Sequence, residues 1–251
     1  MKKILISFGE YVLFCFESFS NLLSVYFEKK ILFQQIYTIG VGSFPVTTLT
    51  SFAVGMVLCL QSGIASISVL NEPAYVGTVV AFSLIKELGP MLTAVVLVGR
   101  VAAAITAEIG SMRVTEQIDA MYTLGTDPIK YLIVPRIVAF AIVLPVLTIF
   151  SNIVGIIGGG IISYIRFDIP WSIYYRDALD YIYIDDFFHG LIKSAIFGIL
   201  ISTVSCYKGF YTKGGAEGVG RATTSCVVVS IVSLLISDYF LSSLLIALGI
   251  G

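Results

Sequence analysis

Residues 86–135 read KELGPMLTAVVLVGRVAAAITAEIGSMRVTEQIDAMYTLGTDPIKYLIVP. The first half is an apolar, small-residue segment that carries Lys86, Glu87, Arg100 and Glu108, where a lipid-facing helix carries no charge. The second half turns polar, as a short amphipathic piece bounded by Gly110 and by Gly125 with Pro128. Charges inside a membrane cost at least ~2.5–3.5 kcal/mol each on insertion scales, so they usually face a cavity or one another. A membrane helix with internal charges, running into a short surface helix, points to a transport path joined to something outside the membrane.

Composition agrees with lipid as the main solvent. The 251 residues are 57% hydrophobic and only 12% charged, with a mean hydropathy of +0.97. An ordinary soluble domain carries roughly 25% charged residues. The net charge of −1 and the scattered Lys and Arg offer no surface for nucleic acid. Cys15, Cys59, Cys206 and Cys226 include no C-x-x-C pair and read as small apolar side chains, and His189 is the single histidine. No metal site is expected.

Outward from the opening stretch, the chain divides into apolar runs. Residues 1–30 place polar side chains at Lys3, Ser7, Glu10, Glu17, Asn21, Ser24 and Glu28, a stripe on an otherwise apolar helix. That pattern predicts an amphipathic helix lying in the membrane interface, its stripe toward water, followed by a single domain over 31–251. A first span is predicted at about 46–68, entered at Pro45 and ended by Asn71, Glu72 and Pro73. Residues 74–110 would measure roughly 55 Å as one straight helix, against ~30 Å of hydrocarbon, so a kink is expected at Gly89-Pro90. Ser111 is the expected cap of a polar helix over 111–125. Further spans are predicted at about 131–165, 187–207 and 223–246. Basic residues before span one, after span two and before span five, opposite an acidic 166–186 loop, place the N-terminus in the cytoplasm. The fold class is therefore an all-α integral membrane protein with about five transmembrane helices.

Small residues at Gly99, Ala103 and Ala107, and again at Ser151, Gly155 and Gly159, recur every four positions and suit close helix packing. Lys86 and Glu87 read either as a polar patch in an apolar cavity, which suits an amphiphile, or as charges that each satisfy a neighbouring helix. Arg113, Glu116 and Asp119 stand beside Met112, Ile118, Met121 and Tyr122, a mixture suited to binding a partner. No bond-making active site is evident. Within GGAEGVGRATT (214–224), Arg221 and Ala222 occupy the places where a phosphate loop needs Lys and Ser or Thr, so the chain is not expected to bind ATP.

ELGPMLTAVVLVGRVAAAITAEIGSMRVTEQIDAM, LGTDPIKYLIVPR, and later GVGRATT with VVVS and Asp238 resemble the MlaE/YrbE family. These are permease subunits of lipid-transporting ABC systems, and the resemblance runs from about residue 40 to the end. It implies a homodimeric inner-membrane permease with a cytoplasmic ABC ATPase that holds the ATP and Mg, and a periplasmic MCE-domain partner. Phospholipid or a related lipid would be the cargo. By the same resemblance 111–125 is a coupling helix, with Arg113, Glu116, Asp119 and Met121 toward the ATPase. Gln61, Lys86 and Glu87 match positions lining a lipid cavity. Many relatives carry Arg at the place of Lys86; Lys keeps the charge without the planar two-pronged grip. Two other classes stand beside this reading: an ion-coupled carrier using Glu87 and Asp238 as proton sites, and a membrane scaffold.

Overall fold

The computed structural model describes residues 2–22, 29–70 and 75–249. The break expected at Asn71, Glu72 and Pro73 lies outside these residues, as does the 23–28 portion of the N-terminal segment. The described residues contain helices and no strand. In chain order they are α1 (Lys2–Ser20), α2 (Lys29–Leu70), α3 (Val76–Val114), α4 (Gln117–Thr123), α5 (Ile129–Phe167), α6 (Trp171–Asp180), α7 (Ile184–Phe210) and α8 (Gly215–Ala247). Five of them, α2, α3, α5, α7 and α8, are long and apolar enough to cross a membrane. This is an all-α membrane protein.

Two local expectations are corrected. Pro45 does not mark a helix entry; it sits inside α2, which starts at Lys29. A proline removes one backbone donor, yet a membrane helix tolerates it in its interior, and hydroxyls of the following turn add bonds of their own to carbonyls there. Thr47 Oγ1 donates to Ser43 O at 3.1 Å, and Thr48 Oγ1 to Phe44 O at 2.7 Å. Nor does Ser111 cap a new helix. The α3 run continues to Val114, and Ser111 O accepts from Thr115 N and Thr115 Oγ1 at 3.0 and 2.9 Å. The chain turns only at Glu116, a non-glycine residue with φ of 60°. The short α4 starts directly after this turn. It ends at Gly125 (φ 75°), where Thr126 N donates to Met121 O and Gly125 N to Tyr122 O, both at 3.0 Å. That pair of bonds is the Schellman ending, which needs the left-handed conformation glycine tolerates.

The interruption expected at Gly89-Pro90 takes another form. The α3 run passes through both residues, and Leu84–Leu88 immediately before them is a π-turn, with Gly89 N donating to Leu84 O. One extra residue in the turn lets the chain continue into proline without a break. Wide turns recur at Val98–Ala102 and at Ile129–Ile133.

The chain forms two compact units, each drawn from three separated stretches. One comprises Met1–Gly42, Leu97–Val143 and Gly198–Leu235. In it Phe14 of α1 is buried against Tyr207 and Phe210 at ring distances of 5.7 and 5.9 Å, and Tyr11 shares a 2.8 Å hydrogen bond with Thr203. Burial pushes the Tyr11 hydroxyl well above the usual tyrosine range, so it keeps its proton. Glu10, from the stripe expected to face water, is exposed and also accepts from Tyr207 Oη at 3.4 Å. Arg136 and Glu108 pair at 2.7 Å between α5 and α3.

The other unit comprises Ser43–Val96, Leu144–Phe197 and Ile236–Gly251. Its helices approach backbone to backbone: a Cβ on Gly55 of α2 would stand 1.9 Å from Gly155 O of α5. Buried Tyr174 of α6 donates to Ile156 O at 3.2 Å and packs with Cys59, Val76, Val80 and Leu84. Thr78 Oγ1 donates to Asp177 Oδ1 at 2.8 Å, tying α3 to α6.

Candidate functional site

The π-turn of α3 places Lys86 and Glu87 in successive positions of one widened turn. On α7, Asp186, His189 and Lys193 are spaced i, i+3 and i+7, so they share a face. On α8, Asp238 and Ser242 are one turn apart and also share a face. The fold of this unit brings the three sets together.

The centre is Lys193, whose side chain is wholly buried. Its Nζ donates to Glu87 Oε2 and to Ser242 Oγ, the latter at 2.8 Å, and pairs with Asp238 Oδ1 at 2.6 Å. Ser242 Oγ in turn donates to Glu87 Oε1 at 3.1 Å, and His189 Nε2 lies 3.9 Å from that oxygen. One ammonium thus joins α7 to carboxylates of α3 and α8. In lipid such a cation requires partners, and here Nζ has two hydrogen-bond acceptors and a third oxygen, that of Asp238, as an ion pair.

Lys86 forms a second pair beside the first. Its Nζ donates to Asp186 Oδ1 at 3.3 Å and lies 4.7 Å from the centre of the Phe82 ring. Asp186 is also the third residue of α7 and accepts with Oδ2 from Tyr183 N at 3.1 Å, just before the helix. This reach-back fixes the carboxylate at the helix start, where it serves both the orphan amide and Lys86. Gly190 lets α7 approach the π-turn, since a Cβ there would stand 2.1 Å from Ile85 O.

Of the three side chains expected to share a cavity, Lys86 and Glu87 are adjacent but have different partners, whereas Gln61 is on the exposed side of α2. Asp186, His189 and Ser242 are network members that sequence reasoning did not select. The 186–189–193 spacing was visible, but Asp186 counted as part of an acidic loop. Ser242 carries no signal in the sequence.

The polar turn forms a second region. Arg113 Nη1 and Asp119 Oδ1 pair at 2.6 Å across the Thr115–Glu116 turn, and buried Ile118 anchors α4. Met121 is half-buried, whereas Glu116, Tyr122 and Leu124 are exposed. Partial desolvation of the hydroxyl end, with the charges of Asp127 and Glu17 adding to it, raises the otherwise exposed Tyr122 above its ordinary pKa. The small-residue faces differ. Gly155 and Gly159 pack within the chain, against Ser51, Leu84 and Gly55 and against Tyr174 and Val80. Gly99 is exposed with open space where a Cβ would stand, and Ala103 is half-buried.

Five helices long and apolar enough to cross a membrane define a multi-pass membrane protein. The chain belongs to the MlaE permease family: the family model described as "Permease MlaE" matches residues 32–244. It is 42% identical over 241 residues to a probable ABC transporter permease protein of Rickettsia typhi, covering 95% of this chain and 92% of that one. A probable ABC transporter permease protein of Synechocystis is 41% identical over 227 residues, covering 90% and 86%. One of Pyropia yezoensis is 35% identical over 242 residues, covering 96% and 92%.

Proposed function

We propose that this chain is the permease subunit of an ABC transporter that moves phospholipid or a related lipid between the inner membrane and a periplasmic MCE-domain protein. A separate cytoplasmic ATPase binds the ATP and Mg and drives the movement. The observation that carries the reading is the likeness, over nearly the whole chain, to proteins named as probable ABC transporter permeases. The lipid cargo, the MCE partner and a homodimeric assembly come from the sequence resemblance to the MlaE/YrbE family. The ion network adds physical support, because an amphiphile needs polar groups at one end of an apolar path and this network supplies them within apolar helices.

In this reading α4 and its flanks receive the ATPase. The Arg113–Asp119 pair and the buried Ile118 hold the segment rigid, while Tyr122 and Leu124 offer an exposed apolar contact. The test is reconstitution into liposomes with and without the co-expressed ATPase, following transfer of a fluorescent phospholipid to an MCE-domain acceptor. Transfer that requires both ATP and the ATPase is expected, and Leu124→Asp should weaken ATPase co-purification. Transfer at the same rate without the ATPase would overturn the proposal in favour of a stand-alone carrier. No transfer under any condition by an intact assembled complex would favour a scaffold.

A further inference from the structure

The charge network is not electrically symmetrical. Among the described residues it joins two ammonium groups, Lys86 and Lys193, to three carboxylates, Glu87, Asp186 and Asp238. Carboxylates outnumber ammonium groups by one, and the His189 imidazole stands 3.9 Å from Glu87 Oε1. The exposure of the members is equally one-sided: the Lys193 and Lys86 side chains are 0% and 11% exposed, whereas Glu87 and Asp238 are 41% and 21% exposed. Lys86, Lys193 and Asp186 (8% exposed) are interior, and Glu87 and Asp238 are the charged members open at the surface. Lys86, which the sequence reading places with Glu87 in a polar patch, is doubly occupied. Asp186 neutralises it at 3.3 Å, and the Phe82 ring stands 4.7 Å from its nitrogen.

We infer that this site selects lipids whose head group carries an amine, such as a zwitterionic phosphoethanolamine, over lipids with a net anionic head, with Glu87 receiving the ammonium and Asp186 silencing Lys86. The inference rests on the lipid-transport reading above and specifies its substrate class. Glu87 can serve because only part of its carboxylate capacity is used: Oε2 accepts from Lys193 and Oε1 from Ser242, and an ionised carboxylate offers about four lone-pair sites. An anionic head would instead approach an exposed carboxylate to reach an ammonium already paired. Asp186 is the specificity-determining residue in this scheme. It touches no lipid and acts through Lys86.

The experiment uses the complex purified with its ATPase in nanodiscs containing equal amounts of phosphatidylethanolamine and phosphatidylglycerol, and measures retained lipid by mass spectrometry. The wild-type chain should enrich phosphatidylethanolamine roughly three- to tenfold over phosphatidylglycerol, the range expected of one charge-assisted contact open to water. N-acetylated phosphatidylethanolamine, which lacks the ammonium, should lose that enrichment on the unmodified protein, so the test does not depend on a variant folding. Glu87→Gln should abolish the preference. Asp186→Asn, which keeps an acceptor for Tyr183 N while removing the charge, should shift retention toward phosphatidylglycerol. Enrichment of phosphatidylglycerol by the wild type, or undiminished retention of the N-acetylated lipid, overturns the inference. Enrichment of neither lipid by a complex that still transfers phospholipid with ATP also overturns it, but leaves the proposed function standing. Loss of ATP-driven transfer itself counts against that function.

Discussion

Lys193 concentrates the energetics of the network on one side chain. It is fully buried and serves Glu87 of α3 together with Ser242 and Asp238 of α8. Removing only the cation leaves two carboxylates facing each other in a site built for a positive charge. Breaking a buried ion pair in this way typically costs ~3–5 kcal/mol, whereas replacing all the charged members together is often neutral. Lys193→Met should therefore lower the thermal midpoint of the detergent-purified protein markedly, with a loss on the order of 3 kcal/mol. Combining it with Glu87→Gln and Asp238→Asn should restore most of that loss. If the triple variant melts no higher than Lys193→Met alone, the network does not stabilise the fold through charge.

At the scale of elements, the π-turn of α3 and the start of α7 act as one piece. Gly190 meets Ile85 O so closely that an added methyl has no room, and the atom it meets is backbone, which cannot rotate away. Gly190→Ala should separate α7 from the turn at a cost of ~1–3 kcal/mol, read as a lower melting temperature, and should weaken the Lys86–Asp186 contact with it. Gly99→Ala is the control. It belongs to the same helical run as the π-turn but has open space at its Cβ, so melting should be unchanged or slightly higher, since alanine costs less than glycine in a helix. Equal effects from the two substitutions would show that close backbone approach is not what matters at Gly190. The two small-residue faces had looked alike in the sequence. One is consumed in packing α5 on α2, while the Gly99 face is open in the single chain.

For the molecule as a whole, the number of apolar helices and the placement of basic residues set a topology that labelling can check. With five crossings, α1, the α4 turn and the loop before α8 fall on one side. The acidic segment that contains α6 falls on the other side. With the four native cysteines replaced, single cysteines at Asp119 and Lys213 should react with an impermeant maleimide from the face opposite to one at Tyr181. Basic flanks retained on the cytoplasmic side predict that Asp119 and Lys213 are the protected pair in right-side-out vesicles. Labelling of all three from the same face would rule out this arrangement of crossings.

What the sequence determined by itself was local or solvent-imposed. Lipid demands apolar runs of sufficient length, so five spans could be read from composition alone, although Pro45 hid the true start of α2 because a membrane helix tolerates proline in its interior. Gly125 announced the end of α4 because only a residue tolerant of positive φ completes that turn. Charges inside apolar runs could likewise be seen to need partners. Which partners they take was decided by packing: Lys86 finds Asp186 and Lys193 finds Glu87 across about a hundred residues of chain. Helical periodicity shows which side chains share a face, but not which face meets which. That choice is made where Gly190 and Gly155 allow backbones to touch, and it gives Lys86 a carboxylate partner within the chain.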